Sequence, residues 1–508
     1  MLSRVVRKAL VPLLVVGSLL AVGYLSPRFV PYDMDEFAAY HALGCATHPL
    51  TRAYDGSFRE PCREDDLRLP LLRQHPLPLR SYLYLGSLPV VPFYPFWRAF
   101  RDPVAVRVQG ASLLLAAVWL VAALARVRFE RTLLAAFLFP VFPGSFLVDT
   151  GPVGLSLVLL AGALLLARRA AAAPGRASFW PAASAGLLVF LGIWIKPVFA
   201  WCLPAVVGHW LLETRSTRSR FPQGSSWKAV GALLLAATIP TALLMSATTY
   251  DGTPYYRVAQ AGRWSLEAGN VERIAGSLGW YLVDGSAVVS RVLSLPPSWI
   301  DVLPLLLGLA LVLTTDAAQR REVAFWLVAA FVTFGLADLS QRALEPHHAV
   351  FPLFFVVLAV ARSLGSPRAG LRLALSALVI ALFWANLARR WPEAETDPRK
   401  DFGKDRLLAW VRDSGLDRRS VQLHTSWGTY YIAHLFADRD AIVLFSRKLA
   451  TDRRLLAEAR AIARREGRGV LIVSRRPDRL ASDVVESVLG PPLEERAFGG
   501  WWTAEYAR

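Results

Sequence analysis

Acidic residues and cysteine are both scarce in this chain. Of its 508 residues only 39 are Asp or Glu, against 57 Lys or Arg, and charged residues of all kinds make up 19%, short of the quarter usual in soluble globular proteins. With 54% hydrophobic residues and a mean hydropathy of +0.38, that shortage excludes an ordinary soluble enzyme of two or three domains. Three cysteines are too few for a disulfide scaffold, and their spacing suits no metal site. A Walker lysine motif, a dinucleotide fingerprint and a Cys-x-x-Cys pair are all missing, so ATP-driven pumping and redox chemistry have no support. The net charge of +18 would suggest nucleic acid on a soluble chain. Beside long apolar runs, however, positive-inside anchoring of membrane helices accounts for the excess arginine, and no nucleic-acid partner is expected.

What the chain does have is apolar runs. Crossing the hydrocarbon core takes about 20 mostly apolar residues, and runs occur at about 9–25, 104–125, 131–148, 152–168, 179–195, 198–213, 228–248, 300–314, 322–339, 349–363 and 373–390. The fold class expected is therefore a polytopic α-helical membrane protein of about eleven spans. Threading the runs from a cytoplasmic N-terminus puts every short arginine-rich loop on one side: Arg126 to Arg131, Arg168 to Arg176, Arg215 to Lys228, Arg320 with Arg321, and Arg362 to Arg372. The Pro-rich stretch Tyr82 to Trp97 would break this pattern as a span and reads as an interfacial or re-entrant piece. The expected home is the inner (plasma) membrane.

The same threading leaves long extracytoplasmic loops at about 26–103 and 249–299, a short one near 340–348, and everything after about 391. The expected division is a transmembrane catalytic domain over 1–390 and an extracytoplasmic α/β domain over 391–508. In the latter, the patterns predict helices over Asp401 to Ser414 and Leu455 to Arg465, and strands over Val421 to His424, Ala441 to Phe445 and Val470 to Val473.

Chemistry concentrates in the first loop, which opens with Pro31-Tyr32-Asp33-Met34-Asp35-Glu36, three carboxylates within four residues. Such carboxylates can take a proton from an acceptor hydroxyl or hold a divalent cation that neutralises phosphate. They equally suit a helix start, as cap and dipole partners. Convergence favours function. Asp149, Lys196, His347 and His348 also fall at outer helix ends, and His75 and Arg80 lie in the first loop, so acid, base and phosphate-binding cations gather at one membrane level. Lys196, before Pro197, is a rare lysine in an arginine-dominated chain and reads as a phosphate ligand or a snorkelling interface lysine. Arg80 and Arg342 are further phosphate candidates. Adjacent His347 and His348 lack an i, i+4 partner for a metal, and can cap a helix or bond a donor phosphate. A Cys45–Cys62 bridge would brace the acidic segment and contribute about 3 kcal/mol by chain entropy. Cys202 falls inside a span as a small buried hydrophobe.

An Asp-Glu pair just after the first helix, a His-Pro-rich stretch before aromatic residues, many further helices and a C-terminal extracytoplasmic domain resemble the C-type glycosyltransferases. Closest in style are the protein O-mannosyltransferase and aminoarabinose-transferase relatives. Asp35-Glu36 matches the acidic pair, and His75-Pro76-Leu77-Pro78-Leu79 is similar to the family's (His/Lys)-Pro-Pro-Leu stretch with one Leu inserted. The resemblance implies a sugar on a polyprenyl phosphate as donor, an acceptor glycan, lipid or protein hydroxyl, and surrounding membrane lipids as partners. It implies catalysis at the first-loop acidic residues, with Asp35 as base and Glu36 or Asp33 orienting it. No cofactor follows beyond an optional divalent cation, which Asp33 and Asp35 would hold. The alternative is a carrier or flippase for a lipid-linked or anionic solute, which would place its ionisable groups at the bilayer midplane on broken helices rather than at helix ends.

Overall fold

The computed structural model describes residues 16–54, 68–139, 152–217, 226–254, 298–340, 346–365, 369–395, 402–448, 452–475 and 483–507, apart from short gaps within these ranges. The chain forms two compact units, Met1–Ser26 with Arg107–Asp397, and Pro27–Val106 with Pro398–Arg508. The division expected at residue 390 thus differs in one respect: the first long loop belongs with the C-terminal tail.

The first unit is helical. Among the described residues its helices are α1 (Val104–Ala125), α2 (Phe129–Phe137), α3 (Val153–Ala172), α4 (Phe179–Ile195), α5 (Leu203–Thr217), α6 (Ser226–Ala247), α7 (Leu303–Leu313), α8 (Ala317–Ser340), α9 (Pro346–Leu364) and α10 (Ala369–Glu395), and residues 16–25 are also helical. Five of them (α1, α3, α4 with its leading turn, α6 and α10) are long and apolar enough to cross a membrane. Others are shorter than the sequence runs suggest. The run at 198–213 divides into a 3-10 turn, Pro197–Cys202, followed by α5, and the run at 300–314 holds the turn Trp299–Val302 and the short α7.

Small residues let these helices approach closely, as they must where no water drives them together. A Cβ on Gly186 of α4 would lie 2.1 Å from the Leu233 carbonyl oxygen of α6. The outward faces stay apolar: Trp119, Leu235, Leu313, Phe331 and Leu371 are all exposed, a surface that suits lipid and not water.

Arginines mark one end of the unit. Arg126 pairs with Glu213 at 3.2 Å, linking the C-terminal ends of α1 and α5, and Arg168 of α3 donates to the Leu124 and Ala123 carbonyls at 3.1 Å. Arg131 donates to the Leu364 carbonyl at 2.8 Å, Arg362 pairs with Glu322 at 2.8 Å, and Arg372 donates to the Ser363 carbonyl at 3.3 Å. Helix C-termini leave carbonyls without intrahelical partners, and these guanidinium groups satisfy several of them. At the other end, Arg390 near the end of α10 meets Asp301 at 3.2 Å with both side chains buried. Asp301 also accepts from the Ser298 backbone N–H at 2.8 Å, closing a capping box. Tryptophans face outward at both ends, Trp180 and Trp227 at the arginine end and Trp299 at the Asp301 end, as interfacial anchors do.

The second unit is built on a five-stranded sheet of order β4-β5-β3-β1-β2, with β1 (Ser420–His424), β2 (Ile442–Phe445), β3 (Gly469–Ser474), β4 (Pro492–Phe498) and β5 (Trp501–Tyr506). β1 pairs in parallel with β2, Val421 opposite Ile442, and with β3, Val421 opposite Val470. The closing hairpin adds antiparallel β5 and β4. Every residue of β1, β2 and β3 is buried, so both sheet faces need cover. On one face α13 (Arg453–Arg465) and α14 (Asp483–Leu489) pack Leu456, Ile462, Val485 and Leu489 against Val421, Leu423, Ile442 and Leu444. The other face is covered by α11 (Gly403–Asp413), by α12 (Trp427–Phe436) and by the first loop.

In that second layer Phe37, Tyr40 and Leu43 share a core with Tyr430, Tyr431, Val443 and Phe445. Trp97 Nε1 donates to the Leu435 carbonyl at 2.8 Å. Thr51 donates to the Ala441 carbonyl at 3.1 Å and accepts from the Val443 N–H at 3.0 Å, which satisfies the outer edge of β2. The Pro-rich stretch Tyr82 to Trp97, expected as an interfacial or re-entrant piece, runs into the helix Val90–Phe100, whose Phe93 and Trp97 are buried in this core.

The five tail elements predicted from pattern are all present, shifted by one or two residues at their ends. If the arginine and Asp301 ends face opposite sides of a membrane, phosphatase fusions made after Arg176 should be inactive and fusions made after Trp299 active. Equal activity of the two would contradict the two-ended arrangement.

Candidate functional site

In the helical unit, α4 ends at Ile195 and the chain turns through Lys196 in extended geometry (φ −151°, ψ 117°) into the Pro197–Cys202 turn. Pro197 removes a donor and forces the residue before it out of the helix. Lys196 is 2% exposed. The turn it opens packs against α8 and α9, and Trp201 meets His348 of α9 edge-on, ring centroids 5.8 Å apart. His348 is buried as well. Two of the expected phosphate ligands, Lys196 and His348, thus lie at the end opposite the arginine ties, on elements that pack together. The backbone of His347 is in α9, its side chain outside the described residues, as are Arg342, Asp149 and His75.

A further buried basic residue has no counterpart among the expectations from sequence. Arg107, in the first turn of α1, is fully buried, and its carbonyl oxygen lies 2.9 Å from where a Cβ on Gly23 would be. The available clue was a lone arginine in an apolar run, a costly placement that usually has a use.

The acidic motif lies in the second unit. Asp35 begins the helix Asp35–Ala38, Glu36 is fully buried, and Asp33 lies outside the described residues along with the Asp35 side chain. The neighbouring backbone is fixed by α11: the Tyr32 N–H donates to Asp405 at 3.2 Å and Lys404 Nζ donates to the Tyr32 carbonyl. Ser81 accepts from the Ala42 N–H at 3.0 Å and donates to the Ala38 carbonyl at 3.3 Å, tying this helix to the strand Arg80–Tyr82. Arg80 is buried on that strand, so it stands with the acidic segment, whereas Lys196 and His348 belong to the helical unit.

Behind the acidic helix lies a histidine cluster that no sequence motif announced. His41 Nδ1 and His434 Nδ1 are 3.0 Å apart, so one ring donates and the other accepts. Gly44 permits this approach: a Cβ there would lie 2.6 Å from His434 Nδ1. His48 places Nδ1 3.1 Å from the Gly44 carbonyl and Nε2 3.3 Å from the Ala437 carbonyl, and as a neutral ring it donates to one of the two. Burial lowers the His41 pKa to about 4 and that of His424 to about 3, and pushes His48 and, well below the ordinary value, His434 the same way, with mutual repulsion adding to the last.

His41, Cys45 and His434 present metal-ligand atoms within 4.8 Å of one another. Cys45, however, is disulfide-bonded, and a disulfide sulfur is no thiolate ligand. Cys202 is a buried free thiol, and Cys62 lies outside the described residues. No family model matches the chain, and no curated protein is similar to it.

The buried histidines couple stability to acidity. Their folded pKa values lie below the unfolded value of about 6.5, so the unfolded chain binds the extra protons, and stability present above pH 6.5 drains as pH falls toward 4. For His41 alone the loss by pH 4 is about 3 kcal/mol. Urea titrations of the intact protein followed by tryptophan fluorescence should show the midpoint falling through this window, and His41→Phe should flatten the slope. A midpoint unchanged from pH 7 to pH 4 would contradict neutral burial.

Proposed function

We propose that the chain is an integral-membrane glycosyltransferase of about eleven spans, its N-terminus cytoplasmic and its Pro398–Arg508 domain extracytoplasmic. It moves a sugar from a polyprenyl-phosphate donor to an acceptor hydroxyl at the outer face. The observation that carries this reading is Lys196: a buried lysine, on a turn that packs against the helix bearing buried His348, at the end of the bundle opposite the Arg126, Arg131, Arg168, Arg362 and Arg372 ties. A carrier would hold its ionisable groups at mid-depth. Cations at headgroup level suit a ligand whose tail lies in the bilayer and whose phosphate lies at its surface.

In the reaction Asp35 takes the proton of the acceptor hydroxyl, and the acceptor oxygen attacks the anomeric carbon. The bond from that carbon to the phosphate oxygen breaks, and the electron pair leaves on the polyprenyl phosphate. Lys196, with His348 and Arg107 as further candidates, stabilises that departing charge. Glu36, fully buried, suits an orienting role rather than contact with substrate. Asp33 and Asp35 would hold a divalent cation if one takes part.

Transfer from a radiolabelled polyprenyl-phosphate sugar by the purified full-length protein tests the assignments. Asp35→Asn should lower the rate by at least a hundredfold, and Lys196→Met by about 10² to 10³, with melting temperatures held near that of the parent. Wild-type rates in both folded variants would overturn the reading.

A further inference from the structure

A separate cavity lies in the second unit, beneath α11 and α12, with a volume of about 110 Å³. Its polar lining comes from Asp102, Asp405, Arg412, Asp417 and Gln422, and its apolar wall from Leu408, Ile432 and Phe436. Each carboxylate is held by a backbone N–H: Asp102 by Val104 at 3.0 Å, Asp405 by Tyr32 at 3.2 Å and Asp417 by Asp438 at 3.0 Å. A carboxylate has about four acceptor sites, and one of these backbone bonds holds each group in place. Arg412 reaches Asp102 at 3.5 Å and is 40% exposed.

Gln422 is the informative residue. It is fully buried on β1, its Oε1 is bonded by His424 Nε2 at 3.1 Å, and its Nε2 has no hydrogen-bond partner among the described residues. An amide donor left unmet in a buried position costs about 1–3 kcal/mol, and this one lines a cavity. The strand alternation explains its direction: Val421 and Leu423 pack against α13 and α14, which turns Gln422 to the side of α11 and α12.

The lining restricts what can bind. A metal ion is opposed by the amide N–H groups and the guanidinium, which offer it no lone pair. An anion is opposed by three carboxylates against one arginine. Fixed acceptors and a fixed donor over an apolar wall complement a neutral ring with several hydroxyls and an apolar C–H face.

We infer that this cavity is a binding site for a neutral sugar ring, occupied by one residue of the acceptor glycan. That last identification rests on the glycosyltransferase reading, whereas the binding of a sugar does not. It also gives the second unit a task of its own: seizing the acceptor.

Saturation-transfer NMR on the full-length protein in nanodiscs, with free glucose, galactose, mannose, arabinose and xylose, tests the site. At least one sugar should receive saturation on its ring C–H protons. Gln422→Leu should weaken that binding at least tenfold, and Ala409→Trp, which fills the cavity from its lining, should abolish it, both with the parent's melting temperature. Asp35→Asn should bind the sugar as the parent does while failing to transfer.

Absence of saturation transfer to every sugar with the parent protein overturns the inference. So does equal binding by parent, Gln422→Leu and Ala409→Trp, or a rise in melting temperature with Ca²⁺ or Mg²⁺ that sugars do not compete away. Full transfer activity in Asp35→Asn would fault the enzymatic reading instead and leave the sugar site standing.

Discussion

A parallel sheet buried on both faces is the constraint on which the second unit depends. β1, β2 and β3 expose nothing, and helices α13 and α14 cover only one side. The tail's own α11 and α12 leave the second layer incomplete, and the first loop completes it with Phe37, Tyr40, Leu43, Phe93 and Trp97. Burial of these five aromatic and aliphatic side chains stabilises the unit by roughly 1.5–3 kcal/mol each, and Thr51 closes the edge of β2. The backbone that carries the acidic motif is therefore part of a sheet-based core and not a free loop. The backbone on either side of Asp35 is held by that core, since packed elements are more tightly placed than loops.

The helical unit solves a different problem. Without water to drive association, its helices rely on small residues and on side chains that meet helix ends. Arginines at one end satisfy C-terminal carbonyls and tie α1, α3, α5, α9 and α10 together. At the other end the described residues include deeply buried polar groups: the Arg390–Asp301 pair, Lys196, His348 and Arg107. Breaking such a pair strands a buried charge, so Asp301 and Arg390 act together in holding this end of the unit.

What could be read beforehand divides by the range of the interaction. The tail's strands and helices follow from periodicity within a dozen residues, and all five expected elements are present. Lys196 and His348 were visible because an ionisable residue between apolar runs is conspicuous. The hydrogen bond from Trp97 to Leu435 spans 338 positions, and no local pattern encodes it, so Tyr82 to Trp97 resembled a membrane-surface piece. The residues that complete the sheet's second face look, in sequence, like any amphipathic segment. His48, His424 and His434 were equally silent, since a histidine in a helix or strand reads the same whether it faces solvent or another imidazole. Among the described residues five helices satisfy the length and composition needed to cross a membrane, while shorter ones such as α7 and α5 look longer in a hydropathy run because adjoining 3-10 turns are apolar too.

Because the second unit is assembled from two segments with the whole helical unit between them, its order of birth is constrained. Roughly 300 residues are synthesised after Val106 before Pro398 emerges, about 15–60 seconds at ordinary elongation rates. Throughout that interval Phe37, Tyr40, Phe93 and Trp97 have no sheet to rest on. Burial of the acidic segment accordingly waits for the sheet, and a ribosome that stops short of β3 leaves Phe37, Tyr40, Phe93 and Trp97 without their cover.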